Sequence, residues 1–100
     1  MPGYKVWTTR AADRDLQETL EYIARDDRTA AEKWAEKISA GIGTLEKFPE
    51  RAPLIPESSA LGGEYRHLVY GNYRIVYRVE GRKVLILRVI HAARLLEMDE

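Results

Sequence analysis

The stretch from Glu64 to Leu96, EYRHLVYGNYRIVYRVEGRKVLILRVIHAARLL, limits what this chain can fold into more than any other. Runs rich in Val, Ile, Leu and Tyr are interrupted at Gly71-Asn72 and at Glu80-Gly81. Gly-Asn supplies the positive φ angles that a two-residue hairpin demands, so the pattern is three short antiparallel strands in a meander. Alternation then assigns faces. Tyr73, Ile75, Tyr77 and Val79 share one side of the middle strand, while Arg74, Val76 and Arg78 share the other. In the last strand Leu85, Leu87, Val89 and His91 lie opposite Val84, Ile86, Arg88 and Ile90. The expectation is that Tyr73, Ile75, Tyr77 and Val79 meet the helices and that the arginines line an open, concave side.

Charge is concentrated in the same stretch. Between Tyr65 and Leu96 there are seven basic side chains against one acidic, in a chain whose formal net charge is zero. A basic patch is the electrostatic footprint of a polyanionic partner, either nucleic acid or an acidic protein segment. The plainer alternative is an edge-strand surface kept soluble by arginine.

The residues before the meander read as one strand and two helices. Tyr4 to Thr8 alternates and is β-favouring; Thr8 or Thr9 can cap a helix running from about Arg10 to Arg25, with Ala12, Leu16, Leu20 and Ile23 on its apolar face. Thr29-Ala30-Ala31-Glu32 has capping-box spacing and starts a second helix. Its stripe is Trp34, Ile38, Ile42, Leu45 and Phe48, and Pro49 ends it. Gly41 and Gly43 within that stripe suggest either close approach of a neighbour or simple tolerance. Pro49 to Gly63 carries no regular period and reads as a long loop suspected of function or of ordering on binding. A helical hairpin with one apolar stripe per helix needs a sheet face to bury it. The expected fold is therefore α+β and two-layered, in the order β-α-α-β-β-β, as a single domain spanning residues 1–100.

Composition excludes several chemistries. Without cysteine there are no disulfides, no thiolate catalysis and no Cys-type zinc site, which fits a reducing cytoplasm. No stretch approaches the roughly 18 apolar residues of a membrane span, and the start has no signal-peptide core. No glycine-rich phosphate loop is present, and His67 and His91 lack metal-ligand spacing, so neither cofactor nor metal is expected. Metal-free RNA cleavage is the one enzymatic option, since His or Tyr with Arg in a cleft can move the protons and stabilise the phosphorane. His91, Arg74, Arg94 and Tyr65 are its candidates. The bland reading makes each of them ordinary sheet surface or packing.

Tyr73-Arg74-Ile75-Val76-Tyr77-Arg78-Val79 and Leu87-Arg88-Val89-Ile90-His91-Ala92-Ala93-Arg94, after a helical hairpin ending in Phe-Pro, resemble the RelE/ParE superfamily of bacterial toxins. The likeness runs from Tyr4 to Leu96. Arg66-His67-Leu68-Val69 and the terminal His-x-x-Arg resemble the ParE branch, often called plasmid stabilisation proteins. The resemblance implies a type II toxin-antitoxin module, in which the C-terminal segment of an antitoxin folds as it wraps the toxin. It implies a cytoplasmic heterotetramer or larger assembly. An acidic amphipathic segment would lie along the helical hairpin or add to a sheet edge, meeting Arg66, Arg74, Arg78, Arg88, His91 and Arg94.

ParE-like members poison DNA gyrase, whereas RelE-like members cut mRNA on the ribosome. By position, Arg74 and Arg94 match the arginines the cleaving branch uses, and His91 falls near its histidine. No lysine lies between Lys47 and Lys83, however, and no tyrosine follows Arg94 to stack on a base. The expectation is a gyrase inhibitor, with a metal-independent, ribosome-dependent endoribonuclease as the alternative. A third possibility is a non-toxic member that only binds an antitoxin. Leu95 and Leu96 are read as a cap on the core, ahead of an acidic end.

Overall fold

The computed structural model describes residues 3–93; Arg94, the Leu95-Leu96 cap and the acidic end lie outside the described residues. A short strand β1 (Lys5–Thr8) leads into α1 (Arg10–Asp26) and α2 (Arg28–Thr44). A single 3-10 turn (Pro49–Arg51) and a one-turn helix α3 (Ser58–Leu61) follow, then β2 (Arg66–Tyr70), β3 (Tyr73–Glu80) and β4 (Lys83–His91). The strands form one mixed sheet in the order β1-β4-β3-β2. β1 runs parallel to β4, and the other pairs are antiparallel.

Thr9 caps α1, its hydroxyl accepting from the Ala12 amide at 3.2 Å and donating to the Ile86 carbonyl at 2.9 Å. One side chain thus starts the helix and ties it to β4. The second cap differs from expectation. Asp27, the one residue between the helices, closes α1 through its amide to Ile23 and opens α2 by accepting from Ala30 at 3.1 Å. Thr29 lies inside α2, and the carboxylate one residue before the helix does the work assigned to the threonine. α2 also ends earlier, at Thr44, so Phe48 leaves the apolar stripe and is 68% exposed.

Between the helices and the sheet lie Ala12, Ile38, Leu45, Ile75, Tyr77, Val84, Ile86 and Val89, with Leu16, Trp34 and Val79 packed beside them. A smaller cluster of Ile55, Val76 and Ile90 fills the opposite face under Leu61 and Tyr65. The segment read as an irregular loop therefore has structure. The Ile55 amide donates to the Tyr65 carbonyl at 2.8 Å, and the Ser58 hydroxyl both accepts from the Tyr65 amide and donates to its carbonyl. It forms a strap across part of the second face, over Val76 and Ile90.

Two details of the meander depart from strict alternation. The second turn is Gly81-Arg82 rather than Glu80-Gly81, and within the two hairpin turns positive φ occurs at Gly71 and Gly81, the first turn position where a II′ hairpin places glycine, and not at Asn72 or Arg82. In β4, Ile86 pairs with Tyr77 but Arg88 pairs with Val76, leaving Leu87 as an extra residue. That bulge flips the parity of the strand. Val84, Ile86 and Val89 consequently share the helix side, and Ile90 faces the strap, so the expected grouping of Val89 with Leu85 is incorrect.

Candidate functional site

The meander distributes its basic residues unevenly. Arg74 is 4% exposed, held by Glu57 of the strap through Nη1 at 3.2 Å and Nη2 at 2.5 Å. His67 on the neighbouring strand brings Nδ1 to 3.5 Å from the same guanidinium. Burial lowers the His67 pKa, Arg74 lowers it further, and Glu57 opposes both. The ring is thereby biased to the neutral form beside a cation that already has a carboxylate. Arg74 thus lies beneath the strap instead of on an open surface, because desolvating a guanidinium requires the fork-to-fork carboxylate that Glu57 supplies.

Arg88 is also tied inward. Its Nε and Nη2 donate to Asp15 of α1 at 2.7 and 2.9 Å, and the Val89 amide donates to the same carboxylate at 2.9 Å. The bulge explains this arrangement. Where β1 turns into α1 it no longer covers β4, and Asp15 satisfies the amide left at that edge. Arg66 donates to the Ala52 carbonyl at 2.7 Å, securing the strap's entry. Arg78 remains at the surface, paired with Glu80 at 3.0 Å and lying over the Tyr65 ring at 5.8 Å.

His91 belongs to the other side of the sheet. Its ring meets the edge of Tyr73 at 5.6 Å, and Tyr73 in turn meets Trp34 of α2 at 5.4 Å. Arg74 and His91 therefore face opposite sides, and the sheet does not bring them into one cleft. Arg94, the third member of that constellation, falls outside the described residues. Tyr65 shares the strap side with Arg74, packed against the smaller cluster.

The described residues also line two concavities. A groove of about 490 Å³ between α1 and α2 is lined by Leu16, Leu20, Trp34, Ile38 and Ile42. The buried Trp34 indole N–H has no acceptor among the described residues. A cavity of about 940 Å³ lies beside Tyr4, Phe48, Pro49 and Arg51. Close to it the Tyr77 hydroxyl donates to the Pro49 carbonyl at 2.5 Å, and burial pushes its pKa up to about 12 against the pull of Arg66 and Arg51. Among the described residues no three His, Asp or Glu side chains could together hold a metal ion. No described helix is long and apolar enough to cross a membrane.

Glu57 and Asp15 organise the basic residues, yet neither stands out in the sequence. The available signal was an acid in the middle of a loop that precedes an arginine-rich strand, and an acid breaking the apolar face of α1.

Comparison with known proteins places the chain. Residues 6–96 match the family model of the ParE toxin of the type II toxin-antitoxin system, parDE. No curated protein matches the chain. Among solved structures, a chromosomal ParDE TA system from P. aeruginosa is similar with a TM-score of 0.69 at 22% identity, covering 88% of this chain and 95% of that one. The toxin-antitoxin complex RelBE2 from Mycobacterium tuberculosis is similar with a TM-score of 0.59 at 28% identity, covering 89% and 98%. With the family model spanning β1 through the end of the meander, the chain belongs to the ParE toxin family of type II toxin-antitoxin systems.

Proposed function

We propose that this chain acts in the cytoplasm by binding and inhibiting DNA gyrase, and that an antitoxin neutralises it by wrapping it in a heterotetramer or larger assembly. The observation that carries the first part is the separation of Arg74 from His91. A metal-free ribonuclease needs a base, an acid and a cation around one phosphate. Here the cation is occupied by Glu57 under the strap and the histidine lies across the sheet. Such an arrangement supports a protein that works by contact. Support for the antitoxin comes from the two toxin-antitoxin assemblies that share this fold, and from the apolar groove between α1 and α2, which suits an amphipathic segment.

The test replaces the Glu57–Arg74 pair as a unit. Exchanging a buried ion pair for uncharged groups of similar volume is often close to neutral for folding. The E57Q/R74M variant, checked for native circular dichroism, is expected to arrest growth as the wild type does. A folded double variant that has lost toxicity would return Arg74 to an active role and favour the mRNA-cleaving alternative.

A further inference from the structure

With Arg66, Arg74 and Arg88 bound internally, the cations of the sheet that remain exposed gather at its other end. Register puts Lys5, Lys83 and Glu80 in one row across β1, β4 and β3, and Trp7, Leu85 and Arg78 in the next. Val6, Val84 and Val79, which alternate with these residues, pack into the helix-side core. The two rows therefore point to the opposite face. Among the described residues the strap covers that face over Arg74, Val76 and Ile90, and Tyr65 beneath Arg78 marks its edge. Beyond that edge Trp7 is 53% exposed.

Lys5 directly beside Lys83 is unfavourable in isolation. Neighbouring strands are about 4.8 Å apart, and like charges in directly opposed positions repel. Glu80, in the same row, gives its carboxylate to Arg78 at 3.0 Å. A carboxylate placed between the two ammonium groups would convert repulsion into two ion pairs. The next row offers an indole and a leucine side chain, a platform for a large apolar residue.

We propose that this half of the sheet is the docking surface for an acidic, extended segment of the antitoxin, its carboxylates bridging Lys5 and Lys83 and an apolar side chain resting on Trp7 and Leu85. The inference rests on the antitoxin reading above and assigns part of its contact surface. Nucleic acid fits less well. Three cations and one acid neutralise too few phosphates for useful affinity, and the middle of the patch is apolar. A second copy of the chain across a two-fold axis would set lysine against lysine.

Calorimetric titration of the purified chain with the antitoxin encoded beside it tests this at two salt concentrations. Trp7→Ala is expected to weaken binding. Lys5→Gln/Lys83→Gln should weaken it less than Lys5→Glu/Lys83→Glu, which should raise Kd about ten-fold or more at low salt and flatten the salt dependence. All of these positions are at the surface, so native circular dichroism is expected throughout. Wild-type binding with Kd unchanged in all three variants overturns the inference alone. The same holds if the variants lose gyrase inhibition or oligonucleotide binding while keeping antitoxin affinity, since the patch would then face the target. Absence of any wild-type complex overturns the antitoxin reading itself.

Discussion

Replacing Asp15 by alanine probes how α1 is fastened to the sheet. The carboxylate accepts three hydrogen bonds, two from Arg88 and one from the Val89 amide, at the bulge where β1 no longer flanks β4. Losing one partner of a buried ion pair costs about 3–5 kcal/mol. Arg88 retains 20% side-chain exposure, so water recovers part of its solvation and the low end of that range applies. An amide left unpaired adds about 1–3 kcal/mol, partly overlapping with the first term. A total of about 3–4 kcal/mol is expected, which for a domain of this size lowers Tm by roughly 12 °C or more. Asp15→Asn keeps an acceptor for the amide and should lose about half as much. Arg14→Ala, one residue away and exposed, should stay within about 0.5 kcal/mol of wild type. Urea unfolding followed by circular dichroism measures all three. A loss below about 1 kcal/mol for Asp15→Ala, or equal losses for alanine and asparagine, would refute the assignment of these bonds as the fastening.

The two glycines of α2 should respond in opposite directions. A Cβ on Gly41 would lie 2.6 Å from the Tyr70 ring, whereas one on Gly43 meets nothing within 4 Å. Gly43→Ala is expected to stabilise by about 0.5–1 kcal/mol, and Gly41→Ala to destabilise by about 1 kcal/mol once strain outweighs helix propensity, both read from urea midpoints. Below pH 6.5 the unfolded chain takes up a proton on His67 that the folded chain resists, so stability held above that pH declines as pH falls toward the lowered folded value. His67→Gln should reduce the slope of unfolding free energy against pH there; identical slopes would contradict it. Tyr77 keeps its proton up to about 12 when folded but only to 10.0 when unfolded. Stability present below pH 10.0 should therefore drain away as pH rises toward 12, and Tyr77→Phe should remove that component from alkaline titrations.

Much of the fold was legible because it rests on periodicity and turn chemistry. The stripe of α1, that of α2 apart from Phe48, a threonine cap at Thr8 or Thr9, the meander and Gly71 as a turn residue all follow from local spacing. Strand order does not. That β1 runs parallel to β4 depends on where the helical hairpin returns the chain, which no local pattern encodes. The bulge at Leu87 was hidden for a related reason, since Val-Leu-Ile-Leu-Arg-Val-Ile alternates equally well with or without an extra residue. Capping was ambiguous where Asp27 and Thr29 are both good acceptors two residues apart. The candidate site was least legible, because sequence shows which residues are cationic but not which are already paired. Glu57 and Asp15 lie 17 and 73 residues from the arginines they hold. An arginine count on a strand could not distinguish a surface patch from internal fastenings.

The measurement that tests the central claim most directly is a paired assay of the purified chain, with DNA supercoiling by gyrase in one reaction and mRNA on translating ribosomes in the other. Loss of supercoiling or accumulation of cleaved DNA, with intact mRNA, is the predicted result. Codon-positioned mRNA cuts with gyrase unaffected would contradict it and would require Arg74, His91 and Arg94 to meet around one phosphate despite the sheet that separates the first two.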